Sequence, residues 1–218
     1  MDGNLNLVKD IQEIYYTKKE DVQKKLDDFK NLWKYGSDTE IFIELVFCLL
    51  TPQSKAKSSW SAVQRLIKKD LILNGSKNEI SKELNIVRFR NKKAEYIVNA
   101  RKVFTKKNKI SIKYEIMQFN DNYKLREWIV KNVKGIGFKE ASHFLRNIGK
   151  GENLAIIDRH ILKNLKYADI IKKIPDSISI KNYLNMEIKM RKFAEKIKIP
   201  MEHLDLILWC KETGEIFK

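Results

Sequence analysis

The chain has 218 residues, of which 43% are hydrophobic, with only 8 glycines and 3 prolines. This composition excludes disordered and fibrous proteins and is typical of a compact, mainly helical chain with one large domain or two small ones. The formal net charge of +16 makes nucleic acid the leading partner, because such an excess of positive charge attracts polyanions. A lysine-rich surface without such a partner is the alternative.

The two cysteines, Cys48 and Cys210, both lie in apolar runs. Two thiolates cannot supply a four-cysteine zinc site or an iron–sulfur cluster, and they indicate no disulfide scaffold. The N-terminus lacks a basic region followed by an apolar core, and no apolar run is long enough to span a membrane. We therefore expect a cytoplasmic protein without a membrane anchor.

The first part of the chain predicts two amphipathic helices followed by a buried one. Apolar residues recur at helical spacing over 5–15 and again over 20–33. The stretch 41–50 is apolar except for Glu44, which is typical of a helix in the middle of a bundle. Pro52 ends this helix, because a proline disfavours helical backbone at the residue before it.

The next helix is expected to face inward with Trp60, Val63 and Ile67 and outward with basic side chains. Gln53 would lie at the junction between the preceding loop and this helix. Its spacing is equally consistent with a solvated turn residue.

A basic segment with one aromatic residue follows. Phe89 lies between Arg88 and Arg90, directly before the next helical pattern. An aromatic side chain among cations can stack on a nucleic-acid base, although such a phenylalanine is more often an ordinary core residue. Both interpretations stay open on the residues alone.

The most informative pattern is a helix, a glycine hairpin and a second helix, with the hairpin in the stretch from Lys134 to Lys139. Gly135 and Gly137 let the backbone turn sharply and let a phosphate approach without a Cβ in the way. The backbone N–H groups from about Gly135 to Lys139 lie at a helix N-terminus, which favours an anion. With the net charge, this pattern indicates binding to the backbone of duplex DNA, with Lys134 as a further cation.

Lys139 and Asp158 are the candidate reactive residues. Lys139 is either one more cation facing phosphate or a nucleophile, because a partly desolvated lysine among like charges has more neutral amine. Asp158 opens the next helix, where an aspartate is first of all an N-cap.

The rest of the chain predicts further helices, including one over 183–197 and a last one with Pro200 at its first helical position. No stretch alternates long enough to predict a strand. The expected fold class is all-α, with about a dozen helices in two lobes. We place one lobe at 36–149, ending in the helix–hairpin–helix, and the second at 1–35 and 150–218.

The motif from Val133 to Lys139, followed by Asp158, resembles the helix–hairpin–helix, Gly/Pro…Asp superfamily of DNA glycosylases. A lysine two residues past the second glycine is typical of its bifunctional members. The whole chain is similar to the type 2 8-oxoguanine DNA glycosylase/AP lyases, found mainly in archaea and some bacteria, including the segments 88–90, 204–209 and 213–218. Lys134 stands where many superfamily members carry proline. The lack of a C-terminal four-cysteine cluster argues against the endonuclease III and adenine-glycosylase branches.

The resemblance implies that the damaged nucleotide is extruded into a pocket between the two lobes. Lys139 would attack C1′, the base would leave, and the resulting Schiff base would permit β-elimination of the 3′ phosphate. Asp158 would stabilise the positive charge on the sugar and assist proton transfer. No metal or organic cofactor is needed, although hairpin carbonyls near Val133 can hold a monovalent cation in this superfamily.

The resemblance also assigns roles in recognition. Phe89 and Trp209 would stack around the flipped base, Asp205 would be a polar contact, and the C-terminal Lys218 would read the oxidised purine. Gln53 would fill the gap in the duplex. These roles rest on the family, because an aspartate in an amphipathic helix is usually solvated and a terminal lysine is usually frayed.

The expected partner is double-stranded DNA containing 8-oxoguanine or abasic sites, bound by a monomer associated with a prokaryotic nucleoid. Two alternatives stay open. One is a non-catalytic helix–hairpin–helix DNA-binding protein, and the other is a glycosylase for oxidised pyrimidines.

Overall fold

The computed structural model describes residues 2–218, with side chains from Leu7 onward. Its regular structure in this range is almost entirely helical, which confirms the all-α fold class. The helices are α1 (Asp2–Tyr35), α2 (Asp38–Leu50), α3 (Ala56–Lys68), α4 (Leu71–Asn74), α5 (Lys77–Glu83), α6 (Arg90–Phe104), α7 (Ile112–Met117), α8 (Asn122–Asn132), α9 (Phe138–Asn147), α10 (Arg159–Tyr167), α11 (Ile180–Ile197) and α12 (Met201–Thr213). None of these helices is both long enough and apolar enough to cross a lipid bilayer.

Helix α1 is one continuous helix of 34 residues, whereas the sequence predicted two. Leu7, Ile11, Val22, Leu26 and Phe29 are all buried, so a single apolar face continues through the polar stretch. That stretch contains no glycine or proline that would break the helix. The polar residues between the two apolar patterns do not end the helix, so the prediction of two separate helices was wrong.

Helix α2 lies in the interior, as predicted. Its N-terminus has a capping box, in which Ser37 and Glu40 each accept a hydrogen bond from the other's backbone N–H. It ends at Leu50, with Thr51 as C-cap before Pro52. Every residue from Leu45 to Leu50 is fully buried.

Helix α3 differs from the prediction in its buried face. Ala62, Val63 and Leu66 are fully buried, whereas Ile67 is 40% exposed. Leu66 fills the core position instead, because the buried stripe is rotated by one residue along the helix.

One further prediction about local structure was wrong. Pro200 is the N-cap of α12 and not its first helical residue. The helix therefore begins one residue later than predicted. A short antiparallel hairpin also joins β1 (Thr105–Lys106) to β2 (Lys109–Ile110). Strands this short have no alternation that a sequence pattern could reveal.

The buried apolar side chains form two clusters. One contains residues between 41 and 154, and the other combines residues between 7 and 29 with residues between 155 and 208. The chain passes from the first cluster to the second just before Asp158. Helix α9, which carries Lys139, contributes to the first cluster, and α10, which Asp158 begins, contributes to the second. The division into lobes at 36–149 stays a prediction.

Candidate active site

The glycine hairpin joins α8 to α9, and its two glycines have different structural roles. Gly135 has a φ of +93°, and a Cβ there would lie 2.2 Å from Cδ2 of Tyr96. Gly137 has an extended backbone with a φ of −101°, and a Cβ there would meet only Oε2 of Glu140, at 3.2 Å. The expectation that both glycines are needed for the turn is therefore wrong, because only Gly135 adopts a conformation that disfavours a side chain.

A carboxylate already occupies the N-terminal end of α9. The N–H of Gly137 donates to Oε2 of Glu140 at 3.3 Å, and Oε1 of the same residue lies 3.5 Å from Nζ of Lys139. Lys134 is exposed, with its Nζ 3.7 Å from Glu95. Lys134 and Lys139 therefore have only weak ionic partners, which a DNA phosphate can replace. The roles of Lys134, Gly135 and Gly137 in DNA-backbone binding stay predictions.

Lys139 lies in the first turn of α9 with 27% of its side chain exposed. The preceding residue, Phe138, packs against the second cluster, with its ring 5.7 Å from that of Tyr183. This anchoring directs the start of α9 toward the junction between the two clusters. Lys139 is thus neither in the core nor free in solvent.

Asp158 is the N-cap of α10, as the sequence predicted. Its Oδ1 accepts a hydrogen bond from the N–H of Ile161 at 2.8 Å. The loop before it is also held, because the hydroxyl of Tyr183 donates to the Ala155 carbonyl at 2.6 Å and accepts from the N–H of Ile157 at 3.2 Å. Asp158 therefore lies at the end of a loop with few conformations available to it.

A buried ion pair that sequence analysis missed connects α8 to α11. Arg126 is 1% exposed and makes a bidentate contact with Glu187, at 2.7 Å and 2.9 Å. Arg126 also donates to Ser142 of α9, while Glu187 accepts the N–H of Ala155 at 2.7 Å. The pair thereby ties the helix of Lys139 to the loop of Asp158. Nothing in the spacing of Arg126 or Glu187 distinguishes them from surface charges.

Asp205 is buried in α12, where a solvated aspartate is the more common case. It is 5% exposed, and its Oδ2 accepts from Nη1 of Arg146 at 2.6 Å. Burial raises the pKa of Asp205 to about 6, with Arg146 acting against this rise. The charge of Asp158 raises the same pKa and that of Lys139 lowers it. Asp205 lies on α12, Lys139 on α9, and Asp158 caps α10.

Phe89 is not a core residue. It precedes α6 with a φ of +58°, and its side chain is 60% exposed. A bulky residue in the left-handed region is strained, and such strain is concentrated at functional sites. The exposed ring lines a groove together with Pro52, Tyr96 and Gly135 of the hairpin.

Trp209 lies one helical turn after Asp205 on α12. Its ring contacts His160 edge to face at 5.3 Å, and its buried Nε1 has no hydrogen-bond partner among the described residues. The roles of Phe89, Trp209 and Asp205 in base recognition stay predictions.

The C-terminal tail is docked and not frayed. The ring of Phe217 packs against that of Phe47 at 6.4 Å. Nζ of Lys218 makes an ion pair with Glu44 and lies 3.4 Å from the ring centre of Trp60. Lys218 is therefore fixed by contacts to the first cluster, although its role in reading the base stays a prediction.

Gln53 lies in a turn that a buried lysine holds. Gln53 is exposed with a φ of +53°. Lys93 is 3% exposed, and its Nζ donates to the carbonyls of Leu50 and Pro52 at 2.7 and 2.8 Å and to Oγ of Ser54 at 2.9 Å. Burial lowers the pKa of Lys93 to about 8. Sequence analysis missed Lys93, because it belongs to a basic run whose other charged residues, Arg88, Arg90 and Lys92, are exposed.

His143 is a second residue that sequence analysis missed. It lies one turn after Lys139 on α9, and neither of its buried ring nitrogens has a hydrogen-bond partner among the described residues. Burial holds its pKa well below the usual value, so the ring is neutral. Its edge contacts Phe47 at 5.6 Å.

The described residues contain no cluster of three or more His, Cys, Asp or Glu side chains that would suit a metal ion. Cys48 and Cys210 are free thiols. The carbonyl of Val133 accepts a long hydrogen bond from the N–H of Ile136, at 3.4 Å. A carbonyl has a second lone pair, which leaves the Val133 oxygen available as one ligand, and binding of a monovalent cation here stays a prediction.

The family model Ogg-HhH, described as 8-oxoguanine DNA glycosylase, matches residues 22–199. A relative from Fusobacterium nucleatum, named 8-oxoguanine DNA glycosylase/AP lyase, is 48% identical over 209 residues, which is 96% of each chain. A relative of the same name from Methanocaldococcus jannaschii is 39% identical over 97% of this chain and 99% of its own.

Solved structures match over the same extent. The crystal structure of the M. jannaschii 8-oxoguanine glycosylase/lyase in complex with 15mer DNA containing 8-oxoguanine has a TM-score of 0.87 at 36% identity, covering 97% of this chain and 99% of that one. The 8-oxoguanine DNA glycosylase of Thermotoga maritima has a TM-score of 0.84 at 35% identity, covering 99% and 100%. The likeness thus extends through the hairpin, α9, α10 and the C-terminal tail.

Proposed function

The chain belongs to the family of 8-oxoguanine DNA glycosylases, and from this premise we propose that Lys139 is the nucleophile of its reaction. The protein is a bifunctional DNA glycosylase and AP lyase of base-excision repair, acting on duplex DNA that contains 8-oxoguanine. The family resemblance inferred from the hairpin motif and Asp158 is thereby confirmed. The activity of this family excludes the alternative of a non-catalytic DNA-binding module.

One observation carries the assignment of the nucleophile. Phe138, the residue before Lys139, packs its ring 5.7 Å from that of Tyr183, and the hydroxyl of Tyr183 bonds the loop that ends at Asp158. One tyrosine therefore holds Lys139 of the first cluster and Asp158 of the second near the same junction of the clusters. A partly buried lysine with an exposed fraction of 27% can reach a substrate and still be shielded from bulk water.

In the proposed reaction the nucleotide first leaves the stack, because C1′ cannot be reached inside the duplex. Nζ of Lys139 then forms a bond to C1′ and releases a proton. The electrons of the glycosidic bond leave with the base, which takes up a proton. Asp158, as a carboxylate, stabilises the positive charge that develops on the sugar.

The second step breaks the strand. Opening of the sugar ring leaves a Schiff base between Lys139 and C1′. Loss of a proton from C2′ then allows the bond between C3′ and its oxygen to break, and the 3′ phosphate leaves. Asp158 is proposed to assist these proton transfers. Every group required is a side chain of this protein, and a cation at the Val133 carbonyl would only help to hold the DNA backbone.

The remaining candidate residues are proposed to hold the DNA. Lys134, Gly135 and Gly137 contact the backbone, Phe89 and Trp209 stack on the extruded base, and Asp205 and Lys218 contact its polar edge. Gln53 fills the space that the base leaves in the duplex. The protein is proposed to work as a monomer in the cytoplasm, where a prokaryotic nucleoid lies.

Borohydride trapping tests the nucleophile. With duplex DNA containing 8-oxoguanine, the wild-type protein should form a covalent complex on reduction, because borohydride converts the Schiff base into a stable amine. Lys139→Gln should give none. Lys131→Gln, which changes an exposed lysine in the last turn of α8, is the matched control and should trap like the wild type. Equal yields for wild type and Lys139→Gln would show that another amine reacts.

The lesion range is tested separately. The same trapping assay on duplexes with oxidised pyrimidines should give less complex than 8-oxoguanine does at equal enzyme concentration. The reverse order would reassign the preferred lesion without affecting the role of Lys139.

A further inference from the structure

Glu44 is the one polar residue in the apolar stretch 41–50, and it is buried. Its exposed fraction is 4%, in a helix whose apolar residues from Ile41 to Leu50 are fully buried except for Ile43. A carboxylate in such a place is costly unless charged or polar partners compensate it. The roles proposed for Lys139 and Asp158 do not explain why α2 contains a buried carboxylate.

The partners of Glu44 connect it to the proposed site. One of its oxygens accepts from Nζ of Lys218, and the other accepts from Nδ2 of Asn147 at 3.0 Å. Oδ1 of Asn147 in turn accepts from Nε and Nη2 of Arg146, at 3.3 and 3.2 Å. Arg146 then donates to Asp205 at 2.6 Å. A continuous chain of hydrogen bonds therefore joins Lys218 to Asp205.

The chain runs through α2, α9 and α12, and its inner members are almost inaccessible to water. Asn147 is fully buried, and Arg146 is 6% exposed. Its two ends are residues that are proposed to contact the extruded base. Charged hydrogen bonds of this kind fix geometry more strongly than neutral ones.

Other contacts hold the tail backbone without Glu44. Phe217 packs on Phe47, and Glu215 pairs with Lys57 at 3.0 Å. Loss of the charge on Glu44 should therefore leave Nζ of Lys218 with only its contact to the ring of Trp60, without releasing the tail. An ammonium has three N–H donors, so the one directed at Glu44 leaves others for a carbonyl oxygen of an oxidised purine.

We propose that Glu44 is a positioning residue for base recognition, which holds the ammonium of Lys218 in place and couples it to Asp205 through Asn147 and Arg146. This inference rests on the proposed function and on Lys218 as a contact of the base. It predicts that Glu44 affects the excision of 8-oxoguanine more than the cleavage of an abasic site, where no base has to be read.

The test is a double-mutant cycle with Glu44→Gln, Lys218→Met and the double variant. Two single-turnover rates are measured for each, namely excision from 8-oxoguanine duplex and strand cleavage at a preformed abasic site. Glu44→Gln should lower excision by roughly tenfold, the size of one charged hydrogen bond, and lower abasic cleavage much less. In the Lys218→Met background it should lower excision by less than about twofold, because the partner is already gone.

Glu40→Gln is the matched control, since Glu40 lies one turn earlier on the same helix and is exposed. Glutamine still accepts the hydrogen bonds of the capping box, so both rates should stay at the wild-type level. Melting temperatures of all variants separate an effect on the site from an effect on folding.

Two results would overturn the inference. One is an equal loss of excision and abasic cleavage in Glu44→Gln, and the other is a loss in the double variant equal to the product of the single losses. If Glu44→Gln does not fold, Lys218→Arg replaces it, because arginine keeps the ion pair with Glu44 and should retain more excision than Lys218→Met. Equal losses in those two variants would overturn the pairing. A wild-type protein that cleaves abasic sites but leaves 8-oxoguanine intact would instead refute the proposed function, and this inference with it.

Discussion

Oδ1 of Asp158 accepts a hydrogen bond from the backbone N–H of Ile161 at 2.8 Å, so the carboxylate proposed to act on the sugar is also the N-cap of α10. The two roles are separable, because an asparagine side chain caps a helix as well as an aspartate does but carries no charge. Asp158→Asn should keep the melting temperature and lower single-turnover excision by roughly 10²-fold or more.

Asp158→Ala removes the cap as well and should additionally cost about 1 kcal/mol of unfolding free energy. Asp121→Asn is the matched control, since Asp121 caps α8 by accepting from the N–H of Tyr123 at 2.7 Å. It should leave both stability and excision unchanged. Wild-type activity in Asp158→Asn would show that Asp158 is only a cap.

Phe89 should lower the unfolding free energy of the protein while it supports excision. Its left-handed backbone, with a φ of +58°, suits glycine better than phenylalanine, so Phe89→Gly should raise the unfolding free energy by roughly 0.5–1 kcal/mol. The same change removes the proposed stacking surface, which is worth roughly 1–3 kcal/mol per base, and should lower excision at least tenfold. Urea denaturation and single-turnover rates measure the two effects.

Lys198→Gly is the control for this prediction. Lys198 is exposed and has a φ of +57° as the C-cap of α11, so the substitution should relieve similar strain without changing excision. A Phe89→Gly variant that is more stable and fully active would exclude Phe89 from base recognition.

The two hairpin glycines should respond differently to a methyl group. Gly135→Ala places a Cβ 2.2 Å from the ring of Tyr96 at a φ of +93°, which should lower the unfolding free energy by about 1–3 kcal/mol through overpacking and strain. Gly137→Ala meets only the flexible end of Glu140 and should fold normally. Its DNA affinity should nevertheless fall several-fold, because the methyl group obstructs the proposed approach of a phosphate.

Urea denaturation and titration of fluorescent duplex DNA at one fixed salt concentration distinguish these effects. A Gly135→Ala variant as stable as wild type would contradict the close approach of Tyr96. Unchanged affinity in Gly137→Ala would place the phosphate elsewhere.

The pH dependence of excision should reflect Asp205, whose pKa is raised to about 6 mainly by burial. Below this pH the side chain is neutral and loses its ion pair with Arg146, so excision should rise as pH increases through about 6. Asp205→Asn should abolish this limb of the pH profile, while abasic cleavage should show a weaker dependence. An identical limb in Asp205→Asn would assign it to another group.

Stability should change in the opposite direction. The folded pKa lies above the usual 3.8, so the folded protein binds a proton that the unfolded chain has released. The contribution of Asp205 to the unfolding free energy is therefore fully present below about pH 4 and is lost as pH rises to about 6. Comparing wild type with Asp205→Asn in urea across this range measures it.

Features determined by residues close together in the chain were predictable from the sequence. Helical spacing located the hairpin between two helices, the proline after Thr51 located the end of α2, and the position of Asp158 before an apolar stripe identified an N-cap that the structure contains. The combination of the glycine hairpin, Lys139 and Asp158 also identified the family, which the comparisons confirm. Such signals are local, because caps and turns depend on neighbouring residues.

Features that depend on residues distant in the chain were decided only by the tertiary structure. Asp205 and Arg126 look like solvated charges by type and spacing, and Glu44 is a single charge in an apolar run. Each of the three is paired with a partner 59 or more positions away. A terminal lysine is usually frayed, and only the fold shows that Lys218 is held by α2. The sequence alone was consistent with Phe89 as a core residue or as a base-stacking residue, and the fold shows that its side chain is exposed. The physical reason is that the burial and pairing of a charge depend on which helices pack together. The residue pattern of one helix does not show which other helices pack against it.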